Sequence, residues 1–301
     1  MSLLAVIILT LSYLTNIPLG QPARQVLQDA ATSAKADIRL QGPAPHQPLA
    51  EPIRTGPEEL KLAARAAYAV DLNTAAPLYQ QNSRQALPIA SITKIVTAMV
   101  IIKSHDLEEV VTVPALPSYR PEDAQLGLTP GQRFKLRDLL AASLIPSAND
   151  AADTLAIFDA GSGSAFAAKM NRLVGEWGIT EMSFTNPSGL PDGNVASAEN
   201  LAKISKIALA NPSFSTLVAT NAVTISDLGG KSYPLVSTNQ LLADARIIGL
   251  KTGYTPTAGQ SFVSLATIKG HRVITVVLNS PDRFGETTQL INWIERSYSW
   301  R

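Results

Sequence analysis

Three strand-length runs crowd the last third of this 301-residue chain, at residues 246–254, 261–268 and 272–278. Aliphatic and β-branched residues dominate them, and Lys269-Gly270-His271 joins the last two as a tight hairpin turn. Near the other end, residues 64–72 and 77–80 read as two further strands around Asn73-Thr74. The middle carries helical spacing instead. Helices are expected over 91–102, over 134–144 ending at Pro146, after Asn149, over 166–177 and over 197–210, with a closing helix from 287 to 298. Residues 110–113 read as a short strand and 119–129 as loop. Strands at both ends around a helical middle predict an α/β (α+β) protein, an antiparallel sheet flanked by helices with an inserted helical subdomain. Hydrophobic content of 46% against 16% charged residues is enough for such a core.

The first fifth of the chain has no such capacity. Residues 3–11 are strongly apolar, and the hydrophobicity fades by Gly20. That length suits a signal peptide or N-terminal membrane anchor over residues 1–20, although no Lys or Arg precedes it. Residues 21–58 turn to Ala, Gln, Pro and Gly and read as a linker, leaving 59–301 as the folded domain. An extracytoplasmic location is expected, with membrane contact only through the N-terminal segment. A net charge of +1 with no basic stripe excludes a nucleic-acid partner, and the absence of cysteine excludes disulfides and thiol catalysis.

Three short motifs carry chemistry. Ser91-Ile92-Thr93-Lys94 follows a proline turn and opens an apolar run, so Ser91 is expected at or near the first turn of a helix. Residues three apart share a helix face, with Cβ atoms about 5–6 Å apart, so hydroxyl and amine can meet. The tetrad also fits an ordinary helix start, with Ser91 as cap and Lys94 solvated. Ser147-Ala148-Asn149 stands at the mouth of an alanine-rich helix, where it also fits a plain cap. Lys251-Thr252-Gly253 lies on the first late strand; there Gly253 would let a ligand backbone approach the edge, although an edge lysine also suits a strand that must avoid aggregation. The three histidines, His46, His105 and His271, lie away from all three motifs, so lysine must be the base. No metal or organic cofactor is implied, since no paired histidines and no phosphate loop occur.

Together and in this order, the motifs resemble the signature of penicillin-binding proteins and class A β-lactamases. Pro146-Ser-Ala-Asn-Asp-Ala151, Phe184-Thr-Asn-Pro-Ser-Gly-Leu190, Thr238-Asn-Gln-Leu-Leu242 and Gly249-Leu-Lys-Thr-Gly-Tyr-Thr255 extend the resemblance to the serine D-alanyl-D-alanine carboxypeptidase family (peptidase family S11). The resemblance implies a β-lactamase/transpeptidase-like fold, with 59–301 as the catalytic domain and no room for the C-terminal β-domain of larger members. It implies removal of the terminal D-alanine from peptidoglycan stem peptides ending in D-Ala-D-Ala, with β-lactam antibiotics as acylating inhibitors. It further implies Ser91 as nucleophile, Lys94 as base and Ser147 as a proton relay bridging Lys94 and Lys251. Asn149 would bind the substrate amide, the backbone N–H groups of Ser91 and Tyr254 the oxyanion, and Lys251, Thr252 and Arg283 the terminal carboxylate. Endopeptidase or transpeptidase action uses the same residues. A β-lactamase would need a deacylating glutamate, for which Glu181 has the spacing. A non-catalytic wall-binding homologue would not need a base beside a serine.

Overall fold

The computed structural model describes residues 50–56 and 58–301; the apolar N-terminal segment, His46 and most of the linker lie outside them. The described chain begins with strands β1 (Pro52–Arg54), β2 (Ala66–Asp71), β3 (Pro77–Gln81) and β4 (Leu87–Pro88). A 3-10 turn, Ala90–Thr93, runs into helix α1 (Lys94–Ser104), followed by β5 (Val110–Thr112) and β6 (Arg133–Lys135). Helices α2 (Leu136–Leu144), α3 (Asn149–Ala160) and α4 (Gly163–Glu176) make up the helical middle, before β7 (Val195–Ala196), α5 (Ala198–Leu209) and α6 (Pro212–Ala219). The hairpin β8 (Ala222–Ser226) and β9 (Ser232–Val236) precedes β10 (Ile247–Thr255), β11 (Gly259–Ile268) and β12 (His271–Ser280). Helix α7 (Arg283–Ser297) and β13 (Tyr298–Trp300) close the chain.

The late strands and the early ones form one antiparallel sheet in the order β10-β11-β12-β2-β3. Strand alternation divides its side chains between two cores. Ala66, Tyr68, Ile274, Val276 and Leu278 join the larger core with the helical middle, whereas Ala67, Ala69, Val273 and Val277 pack with Leu290, Ile291 and Ile294 of α7. Both faces are therefore covered, which is why β11 and β12 read as nearly continuous apolar runs.

Four details depart from the expected organisation. Phe134 lies in β6, paired with Val111, and the helix starts only at Leu136. Phe134 has helical spacing from Leu136 onward, but it alternates with the outward Arg133 as a strand residue does. The β8–β9 hairpin was not expected; Asp227 builds its turn by accepting the N–H groups of Gly229 and Lys231. Helix α7 begins four residues early, because the Asp282 carboxylate caps it through the Gly285 N–H at 2.9 Å. The folded unit also starts before residue 59: β1 pairs with β13, and Arg54 lies 5.3 Å over the Trp293 ring. Among the described residues no helix is long and apolar enough to cross a membrane.

Candidate active site

Ser91 sits in the 3-10 turn just ahead of α1 rather than inside the helix. In such a turn residues three apart eclipse one another, and the Lys94 Nζ lies 2.8 Å from the Ser91 Oγ. Two close approaches hold this turn. A Cβ built on Gly253 would stand 2.7 Å from the Ile89 carbonyl oxygen and 3.4 Å from the Ala90 Cβ. Gly253 therefore lets β10 pack against the turn itself, while its backbone also lines the cavity beside Ser91. On the other side, the loop over residues 184–193 presses Gly189, at φ +84°, against the Ala90 carbonyl.

That loop is stitched down by Asn194. Its Oδ1 accepts the Thr185 N–H at 2.7 Å, and its Nδ2 donates to the Thr93 Oγ1 and the Asn186 carbonyl, each at 2.9 Å. Thr97 Oγ1 donates to the Pro187 carbonyl at 2.6 Å, and Asp192 accepts from Thr255 Oγ1 of β10 at 2.7 Å. The loop thereby delivers the Ser188 carbonyl to Lys94.

Lys94 is fully buried and donates to the Ser91 Oγ, the Asn149 Oδ1 and the Ser188 carbonyl, the last two at 2.7 Å. Burial pushes its pKa down to about 7, against a partial upward pull from Asp153 and Asp150. The geometry matters most for the neutral amine, which has two N–H bonds and one lone pair. Asn149 Oδ1 and the Ser188 carbonyl can only accept, so they take both N–H bonds and the lone pair is left facing the Ser91 hydroxyl. This is the arrangement a general base requires.

Ser91 opens onto a cavity of about 450 Å³ that Ser147, Asn149, Thr252, Gly253, Tyr254 and Arg283 also line. Lys251 lies behind it, 2% exposed, with its Nζ donating to the Thr252 carbonyl at 3.2 Å. Burial first, then the nearby charges of Lys94 and Arg283, hold its amine well below the usual lysine range. Arg283 Nη1 donates to the Gly253 carbonyl at 3.0 Å while its buried Nε has no partner, and burial lowers its pKa too. Thr238 was not foreseen as a site residue, yet it lines the cavity with its Oγ1 2.6 Å from that of Thr252. Its only sequence signal was its place in the Thr238-Asn-Gln-Leu-Leu242 segment, a short way ahead of the Lys-Thr-Gly strand. One end of the cavity thus offers hydroxyls and cationic groups to an anion.

Two expectations change. Among the described residues, no hydrogen bond joins the Ser147 hydroxyl to Lys94 or Lys251, so the expected bridge is not made. Asn149 spends its Oδ1 on Lys94, making it an orienter of the base as well as a cavity wall. Ser147 has φ +68°, a left-handed backbone that costs a non-glycine residue about 1 kcal/mol or more. Ser147→Gly is therefore expected to raise Tm by about 2–4 °C while slowing acylation at least tenfold. A thermal melt beside an acylation time course checks both, and a stabilised variant of undiminished rate would remove Ser147 from the chemistry.

The remaining candidates fall outside. Glu181 is exposed in a turn at φ +58° and does not line the cavity. His105 pairs with Asp159 at 3.0 Å, and His271 stacks on Trp300 at 4.6 Å between ring centres. Among the described residues no three His, Asp or Glu side chains are grouped to hold a metal ion.

Residues 53–282 match the family model described as D-alanyl-D-alanine carboxypeptidase, peptidase S11. The chain is 31% identical over 270 residues to D-alanyl-D-alanine carboxypeptidase DacB2 of Mycobacterium tuberculosis, covering 86% of this chain and 87% of that one. It is 31% identical over 247 residues to a D-alanyl-D-alanine endopeptidase of Pseudomonas aeruginosa, covering 79% of each. Its match to carboxypeptidase DacF of Bacillus subtilis, at 29% identity over 80% of this chain, spans 64% of that protein. Among solved structures, the Streptomyces K15 DD-transpeptidase is similar with TM-score 0.71 and 29% identity, covering 79% of this chain and 98% of that one. Penicillin-binding protein D2 of Listeria monocytogenes in its cefotaxime-bound form gives TM-score 0.70 and 29% identity, covering 80% and 100%.

Proposed function

The chain belongs to the D-alanyl-D-alanine carboxypeptidase family of serine peptidases, S11, and from that membership we propose that it removes the terminal D-alanine of peptidoglycan stem peptides through an acyl-enzyme on Ser91. The observation that carries this reading is the Lys94 amine, buried, titrating at about 7, and aimed at Ser91 by two acceptors that have no proton to give.

In the proposed reaction Lys94 takes the Ser91 proton as Oγ bonds to the peptide carbonyl carbon. The N–H groups of Ser91 and Tyr254 receive the oxyanion, a service worth about 3–4 kcal/mol per donor in such sites. Collapse breaks the C–N bond, and Ser147 passes the proton to the departing amine. Water then attacks the ester with Lys94 again as base, releasing the shortened peptide. Thr238, Thr252, Lys251 and Arg283 hold the carboxylate of the leaving residue, a task that suits the guanidinium fork. A β-lactam presents an acyl carbon and a carboxylate in a similar relation. The ampicillin- and cefotaxime-bound forms of the Listeria protein support penicillin binding by this site. A substrate in the cell wall requires an extracytoplasmic location, which the proposal shares with the N-terminal segment read as an export signal or anchor.

A second reading, endopeptidase cleavage of crosslinks, is favoured by the P. aeruginosa and Escherichia coli relatives of that name. Fluorescent penicillin is expected to label the parent stably and Ser91→Ala not at all; a folded parent that takes no label would overturn the proposal. Release of D-alanine from pentapeptide, set against cleavage of a crosslinked dimer, ranks the two activities. Glu181→Ala is expected to leave the label's lifetime unchanged.

A further inference from the structure

Helix α3 does more at this site than present Asn149. One turn along the same face stands Asp153, four residues on, so its carboxylate lies beside the group that grips Lys94. Asp153 accepts the hydroxyl of Tyr119, which sits in the loop whose Arg120, Glu122, Asp123 and Ala124 wall the cavity. The same loop is tied to α3 a second time: Asp150 accepts the N–H groups of Leu126, Gly127 and Leu128, and Asn149 donates its own N–H to the Ala124 carbonyl. A separate cavity of about 520 Å³, lined by Tyr119, Asp153 and Asp192 among others, opens behind Leu190. None of the three motifs contains Asp153 or Tyr119.

Building on the proposed acyl-enzyme mechanism, we propose that Asp153 is a positioning residue for catalysis: its fixed negative charge, held in place by Tyr119, keeps the buried Lys94 a strong enough base to deprotonate Ser91 near neutral pH. The charges facing Lys94 are Asp150 and Asp153 from α3 and Lys251 from β10; those facing Asp153 are Lys94, Asp150 and Tyr119. Burial disfavours a proton on Lys94, and without an opposing anion its amine would be neutral but feebly basic. A base works best when its affinity for the proton matches the surrounding pH. Asp150 spends its carboxylate on the loop's N–H groups, whereas Asp153 spends one oxygen on a single hydroxyl. Burial raises the Asp153 carboxyl's own pKa, and the Tyr119 hydrogen bond and Lys94 oppose that rise. Tyr119 thus supplies the bond that lets Asp153 keep its charge.

The test is the pH dependence of acylation by a β-lactam whose own carboxylate stays ionised from about pH 5 to 9. Asp153→Asn, nearly identical in shape, is expected to move the acid limb of the rate profile down by about one pH unit. It is also expected to lower the plateau roughly threefold, because the base is weaker. Tyr119→Phe removes the hydrogen bond that favours the ionised carboxylate, so its limb is expected to move down too, but no further than that of Asp153→Asn. Asp153→Glu is expected to bring the limb back toward the parent. Slowing by Asp153→Asn with the limb unmoved would reduce Asp153 to a loop anchor and overturn the inference, as would a larger downward shift in Tyr119→Phe than in Asp153→Asn. A parent that is not acylated at any pH would overturn the proposed function itself, and this inference with it.

Discussion

Lys94→Met is expected to slow acylation of Ser91 by about 10²–10⁴-fold, the usual worth of a positioned general base. Among the described residues no other group stands ready to take the proton. Lys251 is held behind the cavity with its Nζ on the Thr252 carbonyl, and neither described histidine lines the cleft. The same substitution carries a second signature in stability. The Lys94 amine, which would titrate at 10.5 in the unfolded chain, does so at about 7 in the fold. Below pH 7 both states bind the proton, and the folded state bears the whole cost of burying it, roughly 4–5 kcal/mol. Between pH 7 and 10.5 the unfolded chain binds more protons than the folded one, so stability rises with pH and the cost fades to nothing above that window. Lys251 adds a slope of the same sign to both proteins. The difference between parent and Lys94→Met therefore reports the titration of Lys94 together with its effect on Lys251, and both make the parent's slope the steeper. Denaturant midpoints at pH 7, 8 and 9 are expected to climb more steeply in the parent. Parallel lines would mean that Lys94 keeps an ordinary lysine's proton and is not the base.

The parts of this site legible in the sequence are those in which a local pattern and its chemistry coincide. Ser91 and Lys94 are three residues apart and meet through backbone geometry alone, and Lys251 advertises itself as a cation inside an apolar strand. The sheet was equally legible, because residues 261–268 and 272–278 are apolar on both faces and joined by a glycine turn. What escaped depends on contacts across long stretches of chain. Thr238 matters only because its hydroxyl meets Thr252. Asn194 is a surface-type residue whose amide staples a loop to Thr93, a partner 101 residues away. Asp153 reads as an ordinary helix carboxylate until Tyr119 and Lys94 are placed beside it. Gly253 carries a second constraint that nothing local shows, since Ile89 fills the space where its side chain would stand. The first strand escaped for a related reason: Pro52–Arg54 has linker composition and becomes a strand only by pairing with the chain's last residues.

Gly189→Ala is expected to cost the protein both stability and reactivity, and comparison with Gly131→Ala separates the two causes. Both glycines have left-handed backbones, Gly189 at φ +84° and Gly131 at φ +91°. A methyl at Gly131 would meet nothing within 4 Å, so that substitution bears only the conformational penalty of about 1 kcal/mol. A methyl at Gly189 would stand 2.0 Å from the Ala90 carbonyl oxygen and 2.9 Å from the Ser91 nitrogen, both backbone atoms with no side-chain freedom to yield. Either the loop or the nucleophile's turn must move. If the loop moves, Lys94 loses the Ser188 carbonyl, the amine turns, and its lone pair no longer faces Ser91. If the turn moves, the Ser91 N–H leaves the position from which it would serve an oxyanion, at a cost of about 10²-fold or more in rate. Either way Gly189→Ala should lower the acylation rate at least about 100-fold and lower Tm by more than Gly131→Ala, which should acylate at the parent rate. A Gly189→Ala protein that acylates normally would show that the Ala90 turn tolerates displacement, and that the loop's contact with Lys94 does not orient the base.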